Sequence, residues 1–175
     1  MAPRPFRLGR ALTGLGLFAT RPIKKRVRVA EYKGPRLNLK DAEKAEASGN
    51  RYLFEVNSRW TIDGKARSNI ARYFNHSCNP NTDSTIRNGR VFIFTLRTIK
   101  PGEELTYNYG IDYLKNVIGK SNCLCARCRK RRAKRARELR EIRQRKAARA
   151  AGATAKKTKS KARTKSATKR RAAAR

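Results

Sequence analysis

The chain has 175 residues, with 46 Lys and Arg against 12 Asp and Glu, a formal net charge of +34. That length suits one domain, and the excess charge lies largely beyond it: residues 129–175 hold 22 basic and 2 acidic residues. Such a field draws polyanions by counterion release, which points to nucleic acid or an acidic protein surface; no membrane partner is expected, because no run spans a bilayer and no large apolar residue follows Ile142.

Leu12–Ala19 reads Leu-Thr-Gly-Leu-Gly-Leu-Phe-Ala. Behind Arg4, Arg7 and Arg10 it faintly copies a secretion signal, but Gly14 and Gly16 interrupt the apolar part. Two glycines around one residue at the start of a strand either form a plain turn or let backbone amides touch a ligand.

Val27–Tyr32 alternates as a strand and stops at the turn Lys33-Gly34-Pro35. Leu37–Gly49, polar and rich in Ala, Lys and Glu, reads as a solvated helix or an insertion without chemistry. Arg51–Val56 and Trp60–Gly64 form a hairpin pair with Asp63-Gly64 as a turn signal, and the single Trp reads as core.

Ser68–Phe74 is a short apolar helix candidate that runs into Asn75-His76-Ser77-Cys78-Asn79-Pro80-Asn81. This polar turn gathers the only His, one Cys and three Asn; taken alone, Asn75 and His76 could simply cap and hydrogen-bond a buried loop. Asn88-Gly89 predicts a hairpin turn before the strong strand Arg90–Leu96. Pro101-Gly102 predicts a second turn, followed by Glu103-Glu104-Leu105-Thr106-Tyr107-Asn108-Tyr109 with Leu-Thr-Tyr as a strand.

Cys123, Cys125 and Cys128, together with Cys78, are all the cysteines, a number that equals one tetrahedral thiolate zinc site. Disulfides are the competing account, although Cys123 and Cys125 are awkwardly close to pair, and a cluster beside basic residues favours thiolates. Residues 130–151 are rich in helix formers and predict a basic helix, with Arg137 and Glu141 at pairing distance. Residues 152–175 contain too little apolar surface to offset ordering entropy and predict a disordered tail.

In combination, the Asn-His-Ser-Cys and Glu-Glu-Leu-Thr-Tyr-x-Tyr blocks resemble those of SET-domain protein-lysine methyltransferases. The Gly-x-Gly block, the Glu31-Tyr32 strand and the terminal cysteines follow in the order that family uses. The likeness runs from about Leu12 to Cys128. It implies a mainly β fold with short helices, the SET-domain β-clip with its pseudoknot, in which the central loop passes through a neighbouring segment. Its implied organisation is a lead over 1–11, a SET domain over 12–113 and a post-SET zinc segment over 114–129, before the basic helix and tail.

The resemblance further implies S-adenosylmethionine as methyl donor, held by Gly14, Leu15, Gly16, Leu17, Arg72, Asn75, His76 and Tyr109. It implies Tyr109 as the catalytic hydroxyl, Tyr107 as the residue that limits methylation and favours a monomethyl product, and Tyr32 as a wall of the lysine channel. Zn2+ would be held by Cys78, Cys123, Cys125 and Cys128. Four departures stand out: Pro35 follows Gly34 where relatives have Glu, Asn108 replaces an Asp, the gap between Cys125 and Cys128 is two residues where many relatives have four, and no aromatic residue follows Tyr113. The expected function is therefore methylation of a lysine on a histone or another basic DNA-associated protein. The expected location is intracellular and beside DNA, with secretion as an effector left open. The alternative is a non-catalytic chromatin- or DNA-binding protein acting through its basic tail.

Overall fold

The structure, a computed structural model, describes residues 3–172, with side chains as far as Arg149. It has two units, Met1–Arg129 and Lys130–Arg175.

The first unit begins with a hairpin of β1 (Phe6–Ala11) and β2 (Gly14–Ala19), registered from Phe6 opposite Ala19 to Ala11 opposite Gly14. Residues 6–11 are thus an edge strand of the domain and not the separate lead that the sequence suggests. Phe6 explains the difference, because it is buried and meets Phe74 edge to face at 6.4 Å.

β3 (Arg28–Tyr32) and β4 (Arg36–Leu37) precede helix α1 (Leu39–Ala47), which Asn38 caps by accepting the Asp41 amide at 2.9 Å. β5 (Leu53–Asn57) and β6 (Trp60–Asp63) form the expected hairpin, but it turns at Ser58-Arg59 and not at Asp63-Gly64. The Asn57 Oδ1 selects that turn by accepting the amides of Arg59 at 2.9 Å and Trp60 at 3.0 Å. Trp60 consequently sits beside the turn with 43% of its surface exposed, which corrects its reading as core.

A 3-10 turn over Ile70–Tyr73 replaces the expected helix and leads into β7 (Asn75–His76). β8 (Thr82–Arg87) and β9 (Arg90–Thr95) make the predicted hairpin, with positive φ of 48° at Asn88 and 69° at Gly89. Such a turn has the twist that paired strands need. β10 (Glu104–Tyr107) follows Pro101-Gly102, and α2 (Ile111–Tyr113) passes into one π turn over Leu114–Ile118.

The strands form three small sheets ordered β1-β2-β10-β7, β3-β9-β8 and β4-β6-β5. Leu17, Val91, Ile93, Ile99 and Leu105 are fully buried between them, each contributing about 1.5–3 kcal/mol relative to exposure. This core fixes β10, and β10 carries the site.

Helix α3 (Ala126–Ala172) supplies the second unit. It continues past Gly152 into the stretch read from sequence as disordered, because Ala, Lys and Arg have high helix propensity and no proline intervenes. The pair Arg137 and Glu141 forms as expected, at 3.0 Å. Residues 173–175 of the expected tail lie outside the described residues. Among the described residues, no helix is long and apolar enough to cross a membrane.

Candidate active site

β7 and β10 run parallel, with Asn75 beside Thr106 and His76 beside Tyr107. Two residues of pairing would hold the central loop weakly, and buried Asn81 reinforces it. Its Oδ1 accepts the Thr106 amide at 2.9 Å and its Nδ2 donates to the Glu104 carbonyl at 2.8 Å, so one amide side chain extends the ladder. Thr82 adds a hydroxyl bond to the Thr106 carbonyl at 2.9 Å. Sequence reasoning assigned Asn81 no role; its only signal was an Asn after Pro80 at the start of a strand.

Beside this junction lies a cleft of about 970 Å3 whose lining includes Tyr32, Tyr107 and Tyr109. The structure therefore brings together the three tyrosines that lie far apart in sequence. Tyr107 and Tyr109 have ring centroids 4.8 Å apart, and Tyr113 stands edge-on to Tyr109 at 5.2 Å. The Tyr109 hydroxyl donates to the Phe74 carbonyl at 2.6 Å, and that of Tyr32 donates to the Tyr52 carbonyl at 2.8 Å.

Burial raises the pKa of all three hydroxyls well above the ordinary tyrosine value, with neighbouring phenols adding to the rise. They stay protonated at physiological pH and act as neutral hydrogen-bonding groups. Tyr52 and Tyr113 also line the cleft and were assigned no function from sequence. An aromatic residue at either position signals core as readily as site, so the sequence carried nothing to separate them.

Gly14, Leu15, Arg72 and Asn75 line the same cleft, whereas Leu17 is fully buried with its side chain in the core. Gly16 lies against Asn75 and Glu104: a β-carbon there would stand 2.6 Å from Glu104 Oε1 and 2.9 Å from Asn75 Nδ2. The Asn75 amide itself donates to Glu104 at 2.7 Å and to the Leu15 carbonyl at 3.1 Å, tying the glycine strand to β7. Arg72 stacks on the Tyr52 ring at 3.9 Å and donates to the Lys65 carbonyl, while its buried Nε has no hydrogen-bond partner among the described residues. Gly16 is therefore required for the close packing of the glycine strand on Asn75 and Glu104, and the unmet Arg72 donor in the cleft lining fits a polar ligand.

The four cysteine sulfurs lie within 4.8 Å of one another, Cys128 at 3.6 Å and Cys123 at 3.9 Å from Cys78. A disulfide requires about 2.05 Å, whereas four thiolates about 2.3 Å from a tetrahedral zinc stand about 3.8 Å apart. The group could hold a zinc ion. Burial raises the Cys78 and Cys123 thiols; it also acts on Cys125, but hydrogen bonds from the amides of Cys78 and Cys128 and from the thiols of Cys123 and Cys128 together outweigh it and bring Cys125 down to about 7. Arg127, in the first turn of α3, donates to the Cys78 carbonyl at 3.0 Å and ties the two halves of the cluster. His76 lies outside the cleft lining and instead joins the cluster to Tyr109, donating or accepting at Cys78 Sγ over 3.2 Å.

A mainly β domain with a tyrosine-lined cleft at one end of a two-residue parallel junction, flanked by a four-thiol cluster, defines a narrow class. The profile described as "SET domain" matches residues 14–110, and the chain belongs to the SET-domain family. It is 38% identical over 130 residues to "Histone-lysine N-methyltransferase trr" of Drosophila melanogaster, covering 68% of this chain and 5% of that protein. It is 36% identical over 125 residues to the "Histone-lysine N-methyltransferase, H3 lysine-4 specific" of Saccharomyces cerevisiae, covering 66% and 12%. The chain thus matches only a small part of these much longer relatives.

Among solved structures it resembles "Humanized mutant of the Chaetomium thermophilum Polycomb Repressive Complex 2 bound to the inhibitor GSK126". The TM-score is 0.57 at 30% identity, over 66% of this chain and 16% of that one.

Proposed function

We propose that this protein is an S-adenosylmethionine-dependent protein-lysine N-methyltransferase that chiefly monomethylates a basic, DNA-associated protein such as a histone. The observation that carries the reading is the Tyr109 hydroxyl, half-buried in an aromatic cleft and fixed on the Phe74 carbonyl at 2.6 Å. The names of the relatives support the reaction class.

S-adenosylmethionine, when bound, supplies a methyl group on a sulfonium for displacement by an amine. The backbone of residues 14–17, the Arg72 Nε and the Asn75-His76 strand would hold it, since Gly14, Leu15, Arg72 and Asn75 line the cleft and Arg72 offers an unmet donor. Tyr32, Tyr107 and Tyr109 would surround the lysine side chain. An amine with an ordinary pKa of about 10.4 has to be neutral to react, and an aromatic, water-poor channel favours the neutral form. The tyrosines do not take that proton as phenolates, because burial keeps them protonated. Water carries it out. Tyr109 aligns the amine, and Tyr107, buried opposite, limits the room for a second methyl. Zinc would be held by the four thiolates as a closed structural site that fixes Cys78 against the last segment of the domain.

The second reading, a non-catalytic DNA- or chromatin-binding protein, rests on the charge of residues 129–175. The two make opposite predictions for Tyr109. Transfer of labelled methyl from S-adenosylmethionine to mixed basic proteins should be robust for wild type and nearly absent for Tyr109→Phe; no transfer by either would favour the binding protein.

A further inference from the structure

The sheet β3-β9-β8 carries its charge on one face. Val91, Ile93 and Thr95 of β9 are buried on the inner side, so Arg90, Phe92 and Phe94 alternate onto the outer one. Cross-strand register sets Arg28 and Asp83 opposite Phe94, Glu31 and Thr85 opposite Phe92, and Arg87 opposite Arg90, so all of these share that face. Arg28 and Arg90 lie over the Phe92 ring, 5.2 and 5.1 Å from its centroid, and Arg87 lies over Phe94 at 5.3 Å. The two acidic side chains among them are engaged. Glu31 accepts two bonds from Arg90, at 2.7 and 2.8 Å, with Lys33 at 3.7 Å, and Asp83 accepts the Ser84 amide at 2.9 Å. The guanidiniums of Arg28 and Arg87 rest on the rings and form no hydrogen bond or ion pair among the described residues.

Stability does not account for this arrangement. Arg87 and Arg90 stand directly across the hairpin, and like charges so placed are destabilising. Stacking instead holds long side chains in place, each with a planar fork of N–H donors that suits phosphate. A recess of about 540 Å3 adjoins the face, since Arg28, Glu31 and Lys33 line it, and it adds Arg4. It shares no lining residue with the tyrosine cleft. Phe92 is buried beneath two guanidiniums and Phe94 lies under a third. That leaves little bare ring on which an unpaired base could stack, and little apolar surface to anchor a protein.

We propose that the outer face of the β3-β9-β8 sheet binds the phosphate backbone of duplex DNA, with Arg28 and Arg87 each on its own phosphate. By strand geometry their α-carbons stand about 17 Å apart, four residues along and two strands across, a span that suits separate phosphates of one duplex. The site lies wholly in the first unit and needs no methyl transfer, so it is independent of both the cleft chemistry and the charge of residues 129–175.

The test uses the full chain and a labelled duplex of about 20 base pairs, with fluorescence anisotropy read between about 50 and 200 mM salt. Arg28→Gln/Arg87→Gln should flatten the slope of log affinity against log salt by about 1.8, or about 0.9 for each phosphate lost. Lys40→Gln/Lys44→Gln on α1 removes the same charge from exposed positions and should change the slope by less than about 0.5. Arg28→Lys/Arg87→Lys keeps the charge and should keep the slope. Arg87→Gln alone, which relieves the like-charged pair on an edge strand and so stays folded, should lower the slope by about 0.9. An unchanged slope in the Arg→Gln variants overturns the proposal, as does an equal drop in the Lys40/Lys44 variant, which would make net charge the cause. A drop in the Arg→Lys variant as large as in the double Arg→Gln variant would trace the effect to packing on Phe92 and Phe94 and equally refute it. Poly-glutamate is the competing polyanion: if the double Arg→Gln variant loses affinity for it while the DNA slope is unchanged, the face takes an acidic protein and not DNA.

Discussion

The imidazole of His76 sits between the sulfur of Cys78 and the backbone of Tyr109. Nδ1 accepts the Tyr109 amide at 3.3 Å, so in the neutral ring Nε2 carries the proton and faces Cys78 Sγ at 3.2 Å. Burial lowers the pKa of His76, which favours that neutral form. One ring thereby links the thiol cluster to the residue proposed to act on the amine.

Metal analysis should give about one zinc per chain. Cys78→Ser should lose the metal as completely as Cys125→Ser, although Cys78 lies 45 residues before Cys123. Thiolates bind and thiols do not, so zinc content should fall as pH is lowered. Chelation should also reduce methyl transfer, through the displaced His76 contact. Full zinc retention in Cys78→Ser would show that the cluster is assembled differently.

Tyr109→Phe removes one hydroxyl and its bond to Phe74. Loss of a single hydrogen bond costs about 0.5–1.5 kcal/mol, so the variant should remain folded. Methyl transfer should nevertheless fall by about 100-fold or more, in kcat and not in KM. A melting temperature near wild type with that loss separates chemistry from stability; retained turnover would remove Tyr109 from the mechanism.

Asn81→Ala tests the junction itself. It leaves the Thr106 amide and the Glu104 carbonyl without their side-chain partners in a buried position, at about 1–3 kcal/mol for each unmet group. Urea unfolding should show a loss of about 2–4 kcal/mol, larger than for any of the tyrosine hydroxyl deletions. A loss below about 0.5 kcal/mol would mean that β7 is held by other contacts.

The site was legible where its chemistry is carried by contiguous letters. Asn75-His76 and the stretch from Glu104 to Tyr109 are such blocks, and the parallel pairing of Asn75 with Thr106 shows why both were informative. The four cysteines were legible by number alone. What stayed hidden depends on packing direction. Leu17 lies two residues beyond cleft-lining Leu15 on the same face of β2, but there the strand has entered the core, and the sequence did not disclose that depth. Trp60 was misread because size argued for burial while Asn57, by capping the turn, placed it at the surface. Tyr52 and Tyr113 join the cleft through contacts distant in sequence.

Tyr107→Phe keeps the ring against Tyr109, 4.8 Å away, and removes only the hydroxyl. The freed space should admit an amine that already bears a methyl. Wild type should yield mainly monomethyl-lysine by mass spectrometry, and the variant a clear rise in di- and trimethyl product. Trimethyl-lysine dominating the wild-type product would rule out Tyr107 as the limiting residue.

Deleting everything after Arg132 removes 18 of the 46 basic residues and 2 of the 12 acidic ones, all from the second unit. Each phosphate that a protein neutralises contributes about 0.9 to the slope of log affinity against log salt, so the change in slope measures how many phosphates the tail neutralises. If that number is about 6–10, full-length protein should lose about 10³–10⁵ in DNA affinity between 50 and 200 mM salt. The truncated chain keeps 28 basic against 10 acidic residues, so it should retain weak binding with a much shallower slope. Its S-adenosylmethionine affinity should be unchanged, because every residue proposed to hold the methyl donor lies before the deletion. Equal DNA affinity for the two proteins at moderate salt would place nucleic-acid binding on the first unit and leave the charge of the tail without that role.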